Sequence, residues 1–395
     1  MKIVILSSLS WSLVNFRGAL IARMAAEGHD VVACAPDAEP EVVETLARAG
    51  VRFRLTPMAR AGTNPLRDLA TLAGYVGLMR AERPDMVVAY TQKPIIYGGI
   101  AARLFGRPRF YAIMSGLGYV FSDEASTRRG LRRLVSALYR AGVRRARCIF
   151  VFNGDDRRSM LANHIVDDRQ RVVQVPGSGV DVGHFAAQPM PAGATTFLMM
   201  GRLMRDKGVG EYVAAARRVR ARWPGTRFLL LGRPETENPT GYAAEEMQAW
   251  QDEGLVELLA ETRDVRPYLA SAHVFVLPSY YREGLPRTIL EALATGRPVI
   301  TTDMPGCREP IEEGRNGFLV PPRDAEALAD AMERFLECPA LLQPMGEAAR
   351  QVAVDIYDVE RVNRQLLAEM GVIGPDPMAS PEASRPVDGT IAAAA

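Results

Sequence analysis

The chain has 395 residues, 48% of them hydrophobic and 24% charged, and its formal net charge is +2. This length exceeds what one compact core usually holds, so we predict two domains. The near balance of charge gives no support for nucleic-acid binding. The four cysteines show no CxxC pair and no histidine at ligand spacing, which indicates neither a disulfide framework nor a metal site.

The amino-terminal apolar run ends at Ser7-Ser8 and is too short for the core of a signal peptide. No stretch reaches the roughly 18 unbroken apolar residues that a membrane span needs. We therefore expect a cytoplasmic protein.

Short apolar runs then alternate with segments of helical period, which is the pattern of βαβ units. In the first half of the chain the predicted strands are Lys2–Ser7, Asp30–Ala35, Val51–Thr56, Asp85–Tyr90, Arg109–Met114, Cys148–Phe152 and Arg171–Val175. The predicted helices between them are about Phe16–Ala26, Pro65–Arg80, Ile96–Leu104 and Arg128–Arg145. These strands are apolar on both faces, as a covered parallel sheet requires.

A second series of the same kind follows residues 183–194. This stretch has neither the apolar period of a helix nor that of a strand, and we interpret it as a linker. Its predicted strands are Thr195–Met200, Thr226–Leu231, Val256–Ala260, Val274–Leu277, Pro298–Thr302 and Phe318–Val320. Its predicted helices include Gly210–Arg222, Arg287–Thr295 and Asp324–Leu336.

The predicted fold class is therefore α/β, with two Rossmann-like doubly wound domains facing each other across a cleft. We place the domains at residues 1–182 and 195–355. Residues 356–373 are predicted to form a helix that crosses back to the first domain. Residues 374–395, rich in proline, serine and alanine, are predicted to be disordered. Because open parallel sheets bind ligands at the carboxyl ends of their strands, we expect function in the strand-to-helix loops.

The loop after predicted strand Val274–Leu277 carries two acids. Gly284 permits a tight backbone and Pro286 suits the first helical turn, so the free N–H groups there can bind an anion. Glu283 in the loop and Glu291 in the helix could reach different parts of one elongated ligand. The alternative is that Glu291 interacts with the helix dipole and Glu283 is a solvated loop acid.

The loop after predicted strand Thr195–Met200 begins at Gly201 and supplies cations instead. A departing diphosphate accumulates negative charge that fixed positive groups must meet. Arg202 could do so through forked hydrogen bonds and Lys207 as a point charge. The alternative is a surface loop with ordinary solvated charges.

Together the two loops carry Gly201-Arg202-Leu203, Lys207-Gly208, Glu283-Gly284-Leu285-Pro286, and Glu291 eight residues after Glu283. This combination resembles glycosyltransferase family 4. Segments 176–181, 264–268 and 302–309 look like the same family. The resemblance implies the GT-B architecture and is closest to bacterial enzymes that extend sugars on diphospho-undecaprenol, N-acetylgalactosaminyltransferases among them.

The resemblance also implies residue roles. Arg202 and Lys207 would grip the donor diphosphate, and Glu291 would hold the ribose hydroxyls. Glu283 and the backbone of Gly284, Leu285 and Pro286 would face the transferred sugar, and Asp264 would lie beside the nucleotide base. The reaction would retain anomeric configuration without a metal or a cofactor, because the nucleotide sugar is a co-substrate. The donor would be UDP-linked, carrying an N-acetylhexosamine or a hexose.

On the acceptor side the chain departs from the family. The first loop, which includes Asn15, lacks the usual glycines, and Ser115-Gly116 stands where many relatives place a histidine. Gly116 would help to form a backbone-lined pocket. Lys93 could meet the diphosphate of an undecaprenyl-linked acceptor, or it could be a solvated cation before a helix.

The segment Arg128–Arg145 contains many arginines and no acid, with leucines at helical spacing. A basic amphipathic helix can lie on an anionic membrane, and we expect such contact at the inner face of the cytoplasmic membrane. The alternative is a helix packed on its own domain with a solvated arginine face.

Two other functions fit the same architecture. A nucleotide-sugar epimerase must also stabilise a leaving diphosphate, and a non-catalytic protein could bind a nucleotide sugar without turnover. A nicotinamide dehydrogenase is a poor fit because no predicted strand is followed by GxGxxG.

Overall fold

A computed structural model describes residues 1–58, 64–117, 119–121, 129–235, 238 and 240–374. The chain divides into two compact units. Unit 1 comprises Met1–Met114, Ser136–Val175 and the chain from Asn363, and unit 2 comprises Ser115–Val135 and Pro176–Val362. The predicted disordered tail lies outside the described residues, apart from Gly374.

In its described residues, unit 1 has a seven-stranded parallel sheet of order β3-β2-β1-β4-β5-β6-β7. The strands are β1 Lys2–Leu6, β2 Asp30–Ala35, β3 Arg52–Leu55, β4 Met86–Tyr90, β5 Arg109–Met114, β6 Ala146–Val151 and β7 Val172–Gln174. The inner strands are buried along nearly their whole length, which explains their continuous apolar runs. The prediction of a covered parallel sheet is confirmed.

The helices of the first half of the chain are α1 Ser10–Asn15, α2 Gly18–Ala26, α3 Pro40–Arg48, α4 Pro65–Glu82, α5 Gly99–Phe105, α6 Arg129–Val143 and α7 Gly154–Ala162. The helix predicted from Phe16 to Ala26 is α2, which begins two residues later, and α1 precedes it in the stretch that was interpreted from sequence as a loop. They are separated at Arg17, whose guanidinium turns inward between the rings of Tyr90 and Phe152, 5.5 and 5.6 Å from their centroids. Apolar periodicity does not reveal a buried cation of this kind.

In its described residues, unit 2 has a six-stranded parallel sheet of order β10-β9-β8-β11-β12-β13. The strands are β8 Thr196–Met200, β9 Arg227–Leu231, β10 Glu257–Leu259, β11 Val274–Leu277, β12 Val299–Thr302 and β13 Gly317–Val320. Aromatic rings fill the core beneath the central strands. Phe197 and Phe228 stack at 5.4 Å, and Tyr212 donates its hydroxyl to the carbonyl of Phe197 at 2.9 Å.

The later helices are α8 Val209–Arg222, α9 Ala244–Asp252, α10 Arg266–Ser271, α11 Arg287–Ala294, α12 Ala325–Glu337, α13 Leu342–Asp355 and α14 Val359–Met370. Helices α1, α3, α7, α9 and α10 were not predicted, because each has only six to nine residues. No helix in the described part of the chain has the length and apolar character needed to cross a bilayer.

Residues 183–194, interpreted from sequence as a linker, are anchored to unit 2 by two arginines. Arg350 donates to the carbonyls of Phe185 and Val182 at 2.9 and 3.0 Å. Arg297 is fully buried and donates to the carbonyl of Pro189 at 2.8 Å. Burial lowers the pKa of Arg297 to about 10. These charge-assisted bonds to carbonyls hold the stretch against the unit.

Candidate active site

Two loops meet at the carboxyl edge of the unit 2 sheet. The cation loop, residues 201–208, follows β8, and the acid loop, residues 278–286, follows the neighbouring strand β11. Parallel neighbours deliver their loops to the same edge, so sequence-distant residues become adjacent. The loops are fastened by the carbonyl of Asp206, which accepts from the backbone N–H groups of Tyr280 and Tyr281 at 3.0 and 2.8 Å.

The cation loop can approach so closely because it contains a glycine at the contact. Gly208 has φ +80°, and a Cβ at this position would lie 2.1 Å from the carbonyl oxygen of Pro278. A side chain at this position would therefore force the two loops apart. The close approach of the two loops therefore explains why a glycine follows Lys207 in this motif.

Lys207 and Glu283 form an ion pair across the two loops. Lys207 Nζ donates to Glu283 Oε1, and Ser279 Oγ donates to the same oxygen at 3.3 Å. The two charged side chains are only 15% and 13% exposed, so Glu283 is not the solvated loop acid of the alternative interpretation. Lys207 also lies 5.4 Å from the ring centroid of Tyr281. The structure therefore brings two predicted site residues into direct contact.

Arg202 lies on the same loop and its side chain is exposed. It makes no hydrogen bond or ion pair with any described residue, although its charge acts on the Asp206 carboxyl. The guanidinium is thus available to an anion from solvent. Asp206 itself was not among the predicted site residues. Its position between two cations, Arg205 and Lys207, was a signal in the sequence that could have identified it.

The acid loop is covered by the segment that follows β5. A Cβ at Gly284 would lie 2.3 Å from the carbonyl oxygen of Ser115, and one at Gly116, which has φ +112°, would lie 3.0 Å from the nitrogen of Gly284. Ser115 and Gly116 were predicted on the acceptor side, in the first domain. The structure groups both with unit 2, directly against the predicted sugar-facing backbone.

Two further glycines complete the surroundings of the acid loop. A Cβ at Gly177 would lie 2.5 Å from Leu285 Cδ2, and one at Gly306 would lie 2.6 Å from the carbonyl oxygen of Glu283. Both glycines belong to segments that the sequence analysis matched to family 4. Pro286 is the residue just before helix α11, whereas the sequence placed it in the first turn.

Glu291 lies in α11, one turn after Arg287, whose Nε is 3.0 Å from Glu291 Oε1. Burial raises the pKa of Glu291 to about 7, against the opposing effect of the Arg287 guanidinium. The carboxyl group therefore changes charge near neutral pH. A ligand hydroxyl would find an acceptor there when the group is ionised.

The raised pKa predicts how stability depends on pH. The folded protein holds the Glu291 proton up to about pH 7, whereas the unfolded chain releases it near 4.5, the ordinary value. Between these values the folded state binds more protons, so the Glu291 contribution to stability falls as pH rises. Glu291→Gln should therefore gain stability relative to the unmodified chain across this window in urea titrations. Equal differences at pH 4 and pH 8 would contradict the assignment.

Asp264 is exposed and lies in the loop after the edge strand β10, with β9 and β8 between it and the acid loop. Arg266 donates to both carboxylate oxygens at 2.8 Å and lowers the pKa of Asp264 to about 2. The structure thus places Asp264 at the same sheet edge but does not bring it into contact with Lys207 or Glu283.

The other two predicted acceptor-side residues lie in unit 1. Asn15 ends α1, and Lys93 follows β4. Lys93 Nζ donates to Asp68 Oδ1 at 2.7 Å, and both side chains are 16% exposed. Lys93 is therefore not the solvated cation of the alternative interpretation. Burial and the hydrogen bond to Asp68 also raise the pKa of the nearby Tyr97.

Among the residues whose placement is described, no group of three or more histidine, cysteine or acidic side chains is arranged to hold a metal ion. The charges that gather at the sheet edge are those of Arg202, Asp206, Lys207 and Glu283.

Two sequence-family models match the chain in succession. The "Glycosyl transferase 4-like domain" matches residues 15–176, and "Glycosyl transferases group 1" matches residues 194–338. Together they span well over half of the protein. The chain belongs to glycosyltransferase family 4. As a member of family 4, it is an enzyme that transfers a sugar from a nucleotide sugar.

Two relatives in this family are named for lipid-linked acceptors. The N,N'-diacetylbacillosaminyl-diphospho-undecaprenol α-1,3-N-acetylgalactosaminyltransferase of Campylobacter jejuni is 23% identical over 93% of this chain and 97% of its own. The UDP-Gal:α-D-GlcNAc-diphosphoundecaprenol α-1,3-galactosyltransferase of Escherichia coli is 25% identical over 80% of this chain and 82% of its own.

A solved protein structure has the same fold as this chain. HepE of Anabaena, crystallised with UDP-glucose, superposes with a TM-score of 0.74 at 20% sequence identity, over 94% of this chain and all of that one. This likeness confirms the predicted GT-B fold of this family 4 enzyme.

Proposed function

We propose that the enzyme moves an N-acetylhexosamine or a hexose from a UDP-linked donor to a saccharide carried on a lipid diphosphate, with retention of anomeric configuration, in cell-envelope glycan assembly. The observation that carries the proposal is the largely buried Lys207–Glu283 pair beside the backbone of Gly284. The acceptor is inferred from the acceptors for which the two relatives are named. The UDP-linked donor is inferred from the name of the Escherichia coli relative and from the UDP-glucose complex of HepE.

The geometry suggests how the residues act. When the bond between the sugar carbon and the diphosphate breaks, negative charge develops on the bridging oxygen, and Lys207 and Arg202 neutralise it. Glu283, released from Lys207, accepts hydrogen bonds from sugar hydroxyls. The carboxylate of Glu291 accepts from the ribose hydroxyls, and Asp264 lies towards the base. No metal or cofactor is assigned a role, because the two cations supply the positive charge.

Family membership separates this proposal from the two alternatives. An epimerase would return an isomerised sugar without any acceptor, and a non-catalytic protein would bind the donor without turnover. A transferase instead couples donor consumption to formation of a longer glycolipid.

The test incubates the purified protein with a panel of nucleotide sugars and a bacterial membrane extract, with and without a strong chelator. Mass spectrometry of the extracted lipids should show one added hexose or N-acetylhexosamine on a diphosphate-linked lipid, equally in both arms. A free or isomerised sugar, with no change in the lipids, would contradict the acceptor. Loss of product with chelator would contradict the metal-independent scheme.

The lipid-linked acceptor requires contact with the inner face of the cytoplasmic membrane, and helix α6 is the proposed contact. Arg129, Arg133 and Arg140 lie on its exposed side, and Leu134 is 56% exposed. The opposite side is buried, with Val135, Tyr139 and Val143 at intervals of four residues. The helix thus packs on its own protein and also presents a basic face to solvent, which suits anionic lipid.

Charge reversal on this face should weaken membrane binding. The double variant R129E/R133E should lose about tenfold or more in affinity for anionic vesicles, since each basic residue near such a surface contributes about 1 kcal/mol. The matched control R48E/R158E reverses two arginines of α3 and α7 that are 68% and 71% exposed. Co-sedimentation at low and high salt measures both. Equal loss in the control would assign the effect to net charge alone.

A further inference from the structure

The sheet of unit 1 has a point at which its strand order reverses. From β1 the chain continues to β2 and β3 on one side, whereas β4 lies on the other side of β1 and leads on to β5, β6 and β7. The connections that follow β1 and β4 therefore leave the carboxyl edge of the sheet in opposite directions. Open parallel sheets bind ligands in the crevice at such a point. The residues that follow β4 thus lie where a ligand is expected.

The first residue after β4 has a costly conformation. Thr91 has φ +69°, in the left-handed region that β-branched residues rarely adopt. Its hydroxyl oxygen is buried and makes no hydrogen bond with any residue that the structure describes. Its carbonyl accepts from the backbone N–H of Ile95 at 3.1 Å, at the start of the π-helical turn Pro94–Gly98. Strained residues and π-helical turns both occur preferentially at functional sites.

A largely buried ion pair follows the strained residue. Lys93, two residues after Thr91, donates from Nζ to Asp68 Oδ1 at 2.7 Å, and each side chain is 16% exposed. Asp68 lies in the first turn of α4, the helix that connects β3 to β4, so it too lies at the carboxyl edge of the sheet. The ammonium group still has two N–H donors after this contact, and the carboxylate can accept further hydrogen bonds. Since neither side chain is fully buried, a ligand can reach both.

The composition of the pair favours hydroxyl groups over phosphate as its ligand. The Asp68 carboxylate offsets the positive charge of Lys93 and would repel a phosphate brought against the ammonium group. Sugar hydroxyls are neutral and can both donate and accept, so two adjacent hydroxyls can use the ammonium donors and the carboxylate oxygens together. Unit 2 carries the same combination, Lys207 with Glu283, at the carboxyl edge of its own sheet.

We infer that the Lys93–Asp68 pair binds adjacent hydroxyl groups of the acceptor saccharide, with Lys93 donating to one hydroxyl oxygen and Asp68 accepting from its neighbour. This inference rests on the proposed function, because it takes the acceptor to be a saccharide. It assigns Lys93 to the sugar of the acceptor rather than to its diphosphate. It also gives the fold a reason to retain Thr91 in a costly conformation, since the turn there leads the chain to Lys93.

The test is sugar binding measured by saturation-transfer NMR. The protein is saturated with UDP to occupy the donor site and is offered glucose, galactose, N-acetylglucosamine and N-acetylgalactosamine at millimolar concentration. At least one sugar should bind to the unmodified protein. Lys93→Met and Asp68→Asn should each bind that sugar about tenfold more weakly or worse, because each removes a hydrogen bond to a charged group. Either variant carries the test if the other folds poorly.

The matched control is Lys2→Met. Lys2 opens β1 at the amino edge of the same sheet, where it pairs with Glu82 at 3.3 Å and with Asp30 at 3.4 Å. Its replacement also removes a partly buried ion pair from unit 1, but at the opposite edge. We expect a lower melting temperature with unchanged sugar binding. Equal loss of sugar binding in Lys2→Met would assign the effect to stability and overturn the inference.

Four other outcomes are equally decisive. The inference is overturned if the unmodified protein binds none of the sugars, or if both variants bind them as the unmodified protein does. It is also overturned if Lys93→Met weakens the binding of inorganic pyrophosphate to the UDP-saturated protein and leaves sugar binding intact. Unchanged acceptor KM in both variants, with glycolipid still formed, would reject this site and leave the proposed function standing.

Failure of the proposed function would look different. In that case the sugar would bind to the unmodified protein and be lost in both variants, while incubation with nucleotide sugars and membrane extract would yield no longer glycolipid. The pair would then be a saccharide site in a protein that does not extend lipid-linked saccharides.

Discussion

Replacement of Lys207 with alanine should lower kcat/KM by about 10²–10³-fold, because one preorganised charge contact at a developing anion contributes about 2–4 kcal/mol in the transition state. Lys207 Nζ donates to Glu283 Oε1 in a largely buried site, so the loss of the amine also leaves that carboxylate without its cation. Steady-state kinetics with the donor and acceptor identified above would measure the effect.

The uncompensated carboxylate could by itself disturb the fold, so the design includes Lys207→Ala combined with Glu283→Gln. This double variant should recover thermal stability but not activity. The control for a lost surface cation is Arg205→Ala in the same turn, where Arg205 pairs with Glu246 at 2.9 Å and is half exposed. Since exposed pairs contribute about 0–1 kcal/mol, that variant should change kcat/KM less than about fivefold. If kcat/KM of Lys207→Ala is no lower than that of Arg205→Ala, Lys207 has no role in the reaction.

The second large effect is expected at Gly284. A methyl group there would lie 2.3 Å from the carbonyl oxygen of Ser115 and 2.5 Å from its carbon, and both are backbone atoms that cannot rotate away. Gly284→Ala should therefore move the acid loop or the covering segment, with a loss of about 1–3 kcal/mol in stability. A shift of about 1 Å near reacting groups can lower the rate by about 10²-fold, so turnover should fall more than folding does.

Gly225→Ala is the matched control, because it lies in the same unit and a Cβ there meets no atom within 4 Å. It should leave activity and melting temperature nearly unchanged. Parallel assays of both variants, with circular dichroism melting curves, distinguish crowding at the site from a general effect of glycine replacement. Full activity of Gly284→Ala would show that the Ser115 contact is not needed for transfer.

Much of the fold was predictable from sequence. Strands such as Asp30–Ala35, Arg109–Met114 and Val274–Leu277 have the predicted bounds, because strands buried on both faces form unbroken apolar runs bounded by polar residues. The short helices were missed, and the helix expected from Phe16 begins at Gly18, after the buried Arg17.

The sequence predicted which residues form the candidate site, but not which of them contact each other. Spacing along the chain drew attention to Lys207 and Glu283, yet gave no reason to pair them, and it assigned Ser115 and Gly116 to the first domain. Asp206 was not predicted, although it stands between two cations on the same loop.

The sequence by itself determined the two tandem parallel α/β sheets, the resemblance to family 4, and the acids and cations that follow β8 and β11. Local propensity and apolar periodicity carry that information, because they act between residues that are close along the chain. Only the tertiary structure decided that Lys207 contacts Glu283, that Ser115 covers Gly284, and that Asp206 is buried. These contacts depend on strand order and on how closely backbones approach at glycine, which short-range patterns do not encode.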